Sequence, residues 1–307
     1  MNYIKKLEKE LPSKVDYLLV CASFEDRCLS FTSPLIEAQF DKVGVFYFDK
    51  FEKYSKVNIE KLTGHFQVDP IPLDYSNPVT TADSLISFFN DSFHVAKKSV
   101  VVDISTFTRE SLLITLKFLE FIKEKIDTVH FFYRTAEVSK SLSDGVVSIR
   151  SVMGYMGDVN IEDPLHLIIL SGFEHERAKE IIDTLEPDHI TIGYASKDGS
   201  ISEDLYRSNI EFTNTLIAYY SDTKIDTFEH SLRDPESSKN EILKAVGGKS
   251  DFSTVVAPLN NKISTVGAGL AAISDPRIQL CYAEMANYNV SSYSKATDDC
   301  YIFKIPL

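Results

Sequence analysis

Cationic charge is what this chain of 307 residues has too little of. Lys and Arg number 32 against 45 Asp and Glu, a net charge of −13. Proteins that track a phosphate backbone without sequence preference depend on excess Lys and Arg, so long nucleic acid is excluded as a partner. A small anion held by a few local cations is not excluded. Cysteine is also scarce: Cys21, Cys28, Cys281 and Cys300 form no C-x-x-C pair, which argues against a zinc site or a disulfide framework. Cys21 and Cys281 lie inside apolar runs and read as buried packing residues. No apolar stretch reaches the ~18–20 residues of a membrane helix. The opening MNYIKKLEKELPSK is charged where a secretion signal carries an apolar core, and a cytoplasmic protein is expected. H-E-x-x-H, nucleophile-elbow, P-loop and G-x-G-x-x-G patterns are all missing. No metal and no cofactor is expected.

What is present is an ordinary globular mixture, 44% hydrophobic and 25% charged, long enough for two domains of about 150 residues. Apolar runs of strand length alternate with helix-length amphipathic stretches, the pattern of βα units on a mostly parallel sheet. In the first half the predicted strands are 15–22, 43–48, 67–73, 99–104 and 128–134. In the second they are 165–170, 189–195, 224–228, 253–257 and 277–283. Helices are predicted at 109–125, 174–185 and 263–273. The stretch 136–157 is expected to be a connecting hairpin or loop, and CYIFKIPL a closing strand, antiparallel at an edge.

The chain repeats itself. DYLLVCASFEDR in the first half answers LHLIILSGFEHER in the second, each an apolar strand, two small residues, Phe-Glu and an Arg. Further on, VVVDISTFTRESLLITLKFLE answers STVVAPLNNKISTVGAGLAAI. Arg27 to Arg109 spans 82 residues and Arg177 to Lys262 spans 85. Two matched landmarks at nearly equal separation indicate a duplicated domain, with expected domains at 1–157 and 158–307. Gly267-Ala-Gly269 is expected to let its helix approach the sheet.

In an open α/β sheet, ligands gather at the carboxyl ends of the strands, where helix N-termini offer free N–H groups. Four loops fall there: 23–27, 105–109, 171–177 and 258–262. Each ends on a cation at or near a helix start, where the helix dipole favours negative charge by about 0.3–1 kcal/mol. A bound anion would resolve that conflict, and so would surface ion pairs between Glu25 and Arg27, Glu174 and Arg177, and Glu110 and Arg109. The expected ligand-binding residues are Ser23, Arg27, Asp103, Ser105, Arg109, Ser171, Gly172, Arg177, Asn260 and Lys262. His175, beside Glu174 in FEHER, is a candidate acid or base.

Asp103-Ile-Ser105-Thr-Phe-Thr-Arg109, following an apolar strand and opening a helix, resembles the D-x-[ST]-x-x-x-[RK] signature of CARF domains. These are Rossmann-like sensors of cyclic oligonucleotide messengers in prokaryotic immunity, and the related SAVED domain is similar to a fused pair of them. The resemblance implies an α/β fold of two tandem Rossmann-like domains with mostly parallel sheets. It implies a nucleotide or cyclic oligonucleotide bound at a pocket between the duplicated domains, with Ser23 and Ser171-Gly172 supplying the loop after the first strand. It further implies a sensor or regulatory subunit of antiviral defence, acting through a separate effector protein. The second copy departs from the signature, with Val256 and Pro258 in place of Asp and Ser. Two alternatives stand beside it: a nucleotide-degrading enzyme, ring-nuclease-like or nucleosidase-like, using Asp103, Glu174 and His175, and a protein-interaction scaffold whose pocket has decayed.

Overall fold

The computed structural model of the protein describes residues 3–90, 97–138, 142–158, 160, 162–290 and 293–307, except the side chain of Val138. In chain order the elements begin α1 (Tyr3–Glu10), β1 (Lys14–Ala22), β2 (Gln39–Phe48), α2 (Glu52–Phe66), β3 (Pro70–Leu73), α3 (Pro78–Phe89) and β4 (Lys98–Asp103). They continue with α4 (Arg109–Phe121), β5 (Ile126–Val138), β6 (Ser143–Ser151), β7 (Leu165–Leu170), α5 (His175–Leu185), β8 (His189–Ala195) and α6 (Glu203–Tyr219). Last come β9 (Ile225–His230), α7 (Pro235–Gly247), β10 (Ser253–Pro258), α8 (Lys262–Ser274), β11 (Ile278–Tyr288) and β12 (Ser294–Lys304). Short 3-10 helices cover Asp26–Thr32, Asp49–Phe51 and Lys123–Lys125.

The strands form two six-stranded sheets, β12-β5-β4-β1-β2-β3 and β6-β11-β10-β7-β8-β9. Within each, five strands are parallel and the sixth, β12 or β6, runs antiparallel at one edge. This is the α/β architecture of two tandem Rossmann-like units with mostly parallel sheets. All ten strands expected from the apolar runs are present.

Each centre follows from continuous β-branched and aliphatic runs covered on both faces. In the first unit Leu18, Val20, Val45, Val101 and Phe132 pack with Leu62 of α2. In the second, Leu167, Ile169, Ile190, Ile192 and Val255 pack with Ile181 of α5 and Phe212 of α6. The outer strand β3 is only four residues, PIPL, and its prolines cannot donate to a further strand, which blunts that edge. Gly267 does admit a close approach, but to a helix rather than the sheet. A Cβ there would lie 2.5 Å from the Pro235 carbonyl and 2.6 Å from the Ser238 Cβ, both on α7.

The expected boundary at 157/158 is corrected. Compact unit 1 comprises Met1–Ser139 with Val290–Leu307, and unit 2 is Lys140–Asn289. Residues 136–157 are not merely a connection: they hold β6, which pairs with β11 from Cys281↔Ser151 to Tyr288↔Ser143. The closing strand β12 is antiparallel at an edge as expected, but on β5 of the first sheet. The sixth strand of each repeat therefore completes the other repeat's sheet.

Candidate functional site

Strand order reverses between β1 and β4 in the first sheet and between β7 and β10 in the second. At such a point the crossovers leave in opposite directions and open a crevice at the carboxyl ends of the strands. All four expected loops lie there, two per unit. Each pair is tied at matching positions: the Thr106 hydroxyl donates to the Cys21 carbonyl at 2.6 Å, and Leu259 N–H to the Leu170 carbonyl at 3.1 Å. The helices that follow also begin alike. Thr108 caps α4 by accepting from Ser111 N–H, and Asn261 caps α8 by accepting from Ser264 N–H, so half-buried Arg109 and Lys262 open equivalent helices.

Arg27 and Arg177 serve a different purpose from the anion grip expected of them. Arg27 is buried in the 3-10 turn, with Nε and Nη2 on Glu25 Oε2 at 3.1 and 2.7 Å and Nη1 on the Arg134 carbonyl at 3.2 Å. Burial opposes its charge, but the Glu25 carboxylate outweighs that and holds the guanidinium above its ordinary pKa. Arg177, also buried, reaches Glu174 Oε2 at 3.0 Å and Met285 Sδ at 3.0 Å. The ion-pair alternative is what forms, but in the interior, where an unpaired guanidinium would be costly. Each pair is further engaged by the serine that opens a sixth strand: Ser294 donates to Glu25, and Ser143 donates to Glu174.

His175 and Glu174 do not form an acid–base pair. The Glu174 carboxylate is taken up by Arg177 and Ser143, while the His175 ring packs 4.0 Å from Phe212. Burial pushes the His175 pKa below its ordinary value, so the imidazole is neutral at pH 7. Ser171 is equally occupied, its hydroxyl 3.0 Å from Thr213 Oγ1 and its carbonyl accepting from Asn209 and Asn260. Gly172 stands where the second loop presses in: a Cβ would lie 2.2 Å from the Leu259 carbonyl oxygen.

Asp103 is the exception in this otherwise paired neighbourhood. It ends β4 at 1% exposure. Its Oδ1 accepts from Ser105 N–H at 3.0 Å, while Oδ2 has no hydrogen-bond partner among the described residues. Burial raises its pKa to about 7, against the lowering influence of Ser105, Arg27 and Arg134. Near neutrality the carboxyl is therefore present in both forms, and its neutral form can donate a proton. Ser105 orients this corner, its hydroxyl accepting from Arg134 N–H at 2.9 Å. Ser23, half-buried, opens the facing loop.

Sequence reasoning missed the clamp that shapes both first loops. Asn58 of α2 donates to the Ser23 carbonyl at 2.9 Å. Asn209 of α6 donates to the Ser171 and Gly172 carbonyls at 2.8 and 3.3 Å, and accepts from Ala195 N–H at 2.7 Å. A signal was there: both lie in the tripeptide Asn-Ile-Glu, at 58–60 and 209–211.

No protein-family model and no curated protein matches the sequence. A solved structure described as a Type III CRISPR defence DNA nuclease activated by cyclic oligoadenylate does match, with a TM-score of 0.51. The match covers 92% of this chain and 67% of that one, at 7% sequence identity. A likeness at that identity is one of fold. It agrees with the two Rossmann-like units expected from the sequence. Among the described residues, no helix is long and apolar enough to cross a membrane.

Proposed function

We propose that the crevice between β1 and β4 binds a phosphate-bearing nucleotide, and that the protein is a sensor of a cyclic oligonucleotide messenger in prokaryotic antiviral defence. Its signal passes to a separate effector protein. The observation that carries this reading is Asp103: a buried carboxyl at the strand-order reversal, with one oxygen unsatisfied. Leaving such a group unpaired costs about 1–3 kcal/mol, a cost a ligand relieves. With its pKa raised to about 7, Asp103 can take up a proton as an anion binds and donate to a phosphate or hydroxyl rather than repel it. Arg109 brings positive charge to the α4 N-terminus, where an anion is favoured by both the N–H groups and the dipole. The fold likeness adds support, since the matched structure is of a nuclease activated by cyclic oligoadenylate.

The ligand set of this reading is Ser23, Asp103 and Arg109, all in unit 1. Arg27, Arg177, Ser171 and Asn260 shape the loops from behind. Binding rather than catalysis is favoured because Glu174 is already engaged and His175 packs on an aromatic ring.

Titration calorimetry with ATP and a cyclic oligoadenylate, followed by product analysis, tests the proposal. Arg109→Ala is expected to weaken binding by about 1.5–3 kcal/mol, roughly ten- to a hundred-fold. Wild-type protein that binds neither probe would refute sensing. Turnover of either probe would replace it with the degrading-enzyme reading.

A further inference from the structure

Beside the β1 loop lies a group of aromatic rings that the phosphate-binding reading does not use. Phe24, directly after Ser23, meets Phe51 edge-to-face at 6.2 Å and Tyr293 at 5.5 Å. Phe51, in the 3-10 turn after β2, rests on Tyr75 at 5.1 Å, and Tyr75 on Phe48 at 5.8 Å. Phe48 and Tyr75 are buried and form the floor, while Phe24, Phe51 and Tyr293 are only half-buried. The exposed Lys50 reaches over the Tyr75 ring at 4.4 Å. These rings come from the carboxyl ends of β1, β2 and β3 and from the entry to β12, all within unit 1.

The duplication makes this group informative. Features that maintain the fold recur in both units: the Glu–Arg pair, the serine opening the sixth strand, the asparagine clamp and the helix cap. The aromatic group does not recur. Phe24 has its counterpart in Phe173, but Leu142 precedes Ser143 where Tyr293 precedes Ser294. After β8, Ser196-Lys197-Asp198 stands where Asp49-Lys50-Phe51 follows β2. Phe51 and Tyr293, half-buried rings that only one copy keeps beside the shared phenylalanine, are not needed to build the repeat.

We propose that Phe24 and Tyr293, supported by Phe51, form a stacking platform for one nucleobase of the ligand, and that only unit 1 carries such a platform. This rests on the nucleotide reading above and assigns the part of the ligand beyond its phosphate. Reach is adequate. Phe24 is three residues beyond Cys21, whose carbonyl holds Thr106 at 2.6 Å, and Thr106 is two residues before the α4 cap. The ring therefore sits about 10 Å of backbone or less from the tie between the two loops. Stacking on aromatic faces is tolerant of base identity and strong enough to change the affinity of a small nucleotide about ten-fold or more.

The chain contains no tryptophan, which supplies the test. In the Phe24→Trp variant the single indole is expected to lose fluorescence on adding ATP but not on adding tripolyphosphate. Phe24→Leu and Tyr293→Leu, the latter matching what the second copy already carries, should each weaken ATP about ten-fold or more, with tripolyphosphate affinity unchanged. Unchanged ATP affinity in both leucine variants, or equal loss for both probes, overturns the platform while leaving the phosphate site standing. Wild-type protein that binds neither these probes nor a cyclic oligoadenylate overturns the nucleotide reading itself, and the platform with it. Where only the cyclic oligoadenylate binds, the leucine variants are read with it in place of ATP.

Discussion

Replacing Asp103 by asparagine should stabilise the protein, relative to wild type, progressively as pH rises, with a constant difference at acid pH. The two side chains have the same shape, and the Oδ1 acceptor for Ser105 N–H survives. At low pH the wild-type carboxyl is neutral and buries one unpartnered O–H where the asparagine amide buries two N–H groups, so the variants should differ there only by a small offset that does not change with pH. The folded pKa is raised to about 7 from 3.8, so the folded state holds this proton more tightly than the unfolded chain. The stability it confers is complete below about pH 4 and is lost as pH rises towards 7. That rise corresponds to about 4 kcal/mol, the most by which Asp103→Asn can exceed wild type above pH 7. Urea unfolding across pH about 4 to about 8 measures it, read as the difference between variants at equal m-value. The difference matters because buried histidines slope the other way. His166 and His230 are held at about 3 and about 4 by burial, so they cost stability as pH falls below 6.5. A flat difference curve would show that Asp103 does not titrate in this window, and the proton-donor role would go with it.

Three further outcomes follow from the same structure. Glu25→Ala should cost about 3–5 kcal/mol, because it strands the buried Arg27 charge; thermal unfolding measures it, and a loss near zero would mean that solvent reaches the guanidinium. Gly172→Ala should destabilise by about 1–3 kcal/mol or more, since the Leu259 carbonyl occupies the methyl's place; an unaffected melting temperature would show that the 258–262 loop yields easily. Removing residues 290–307 strips β12 from β5. Hydrogen exchange should then accelerate in β5 and β4 of the first sheet, whereas acceleration confined to β10 and β11 would contradict the strand assignment.

The placing of Asp103 at a strand end and Arg109 at a helix start was legible because that arrangement is local: a strand, a hydroxyl-bearing turn and a helix adjoin in the chain. Arg27 and Arg177 had the same appearance, yet spacing alone could not say whether their charge met a carboxylate or open space. Burial decided it, since a guanidinium removed from water takes the nearest carboxylate, two or three residues away. Ser143 and Ser294 carried no legible signal at all. Their role exists only because a strand from one repeat joins the other repeat's sheet.

Taken by itself, the order of residues determined the ten parallel strands, the doubling of the unit and the position of the four loops. These depend on apolar periodicity and on landmarks close in sequence. Tertiary structure alone decided which sheet receives each sixth strand, which cations are spent on buried pairs, and which carboxyl keeps an unsatisfied oxygen. Hydrogen bonds between strands are made by the backbone, and burial is a property of everything packed around a residue. Neither is written in the identities of neighbouring side chains.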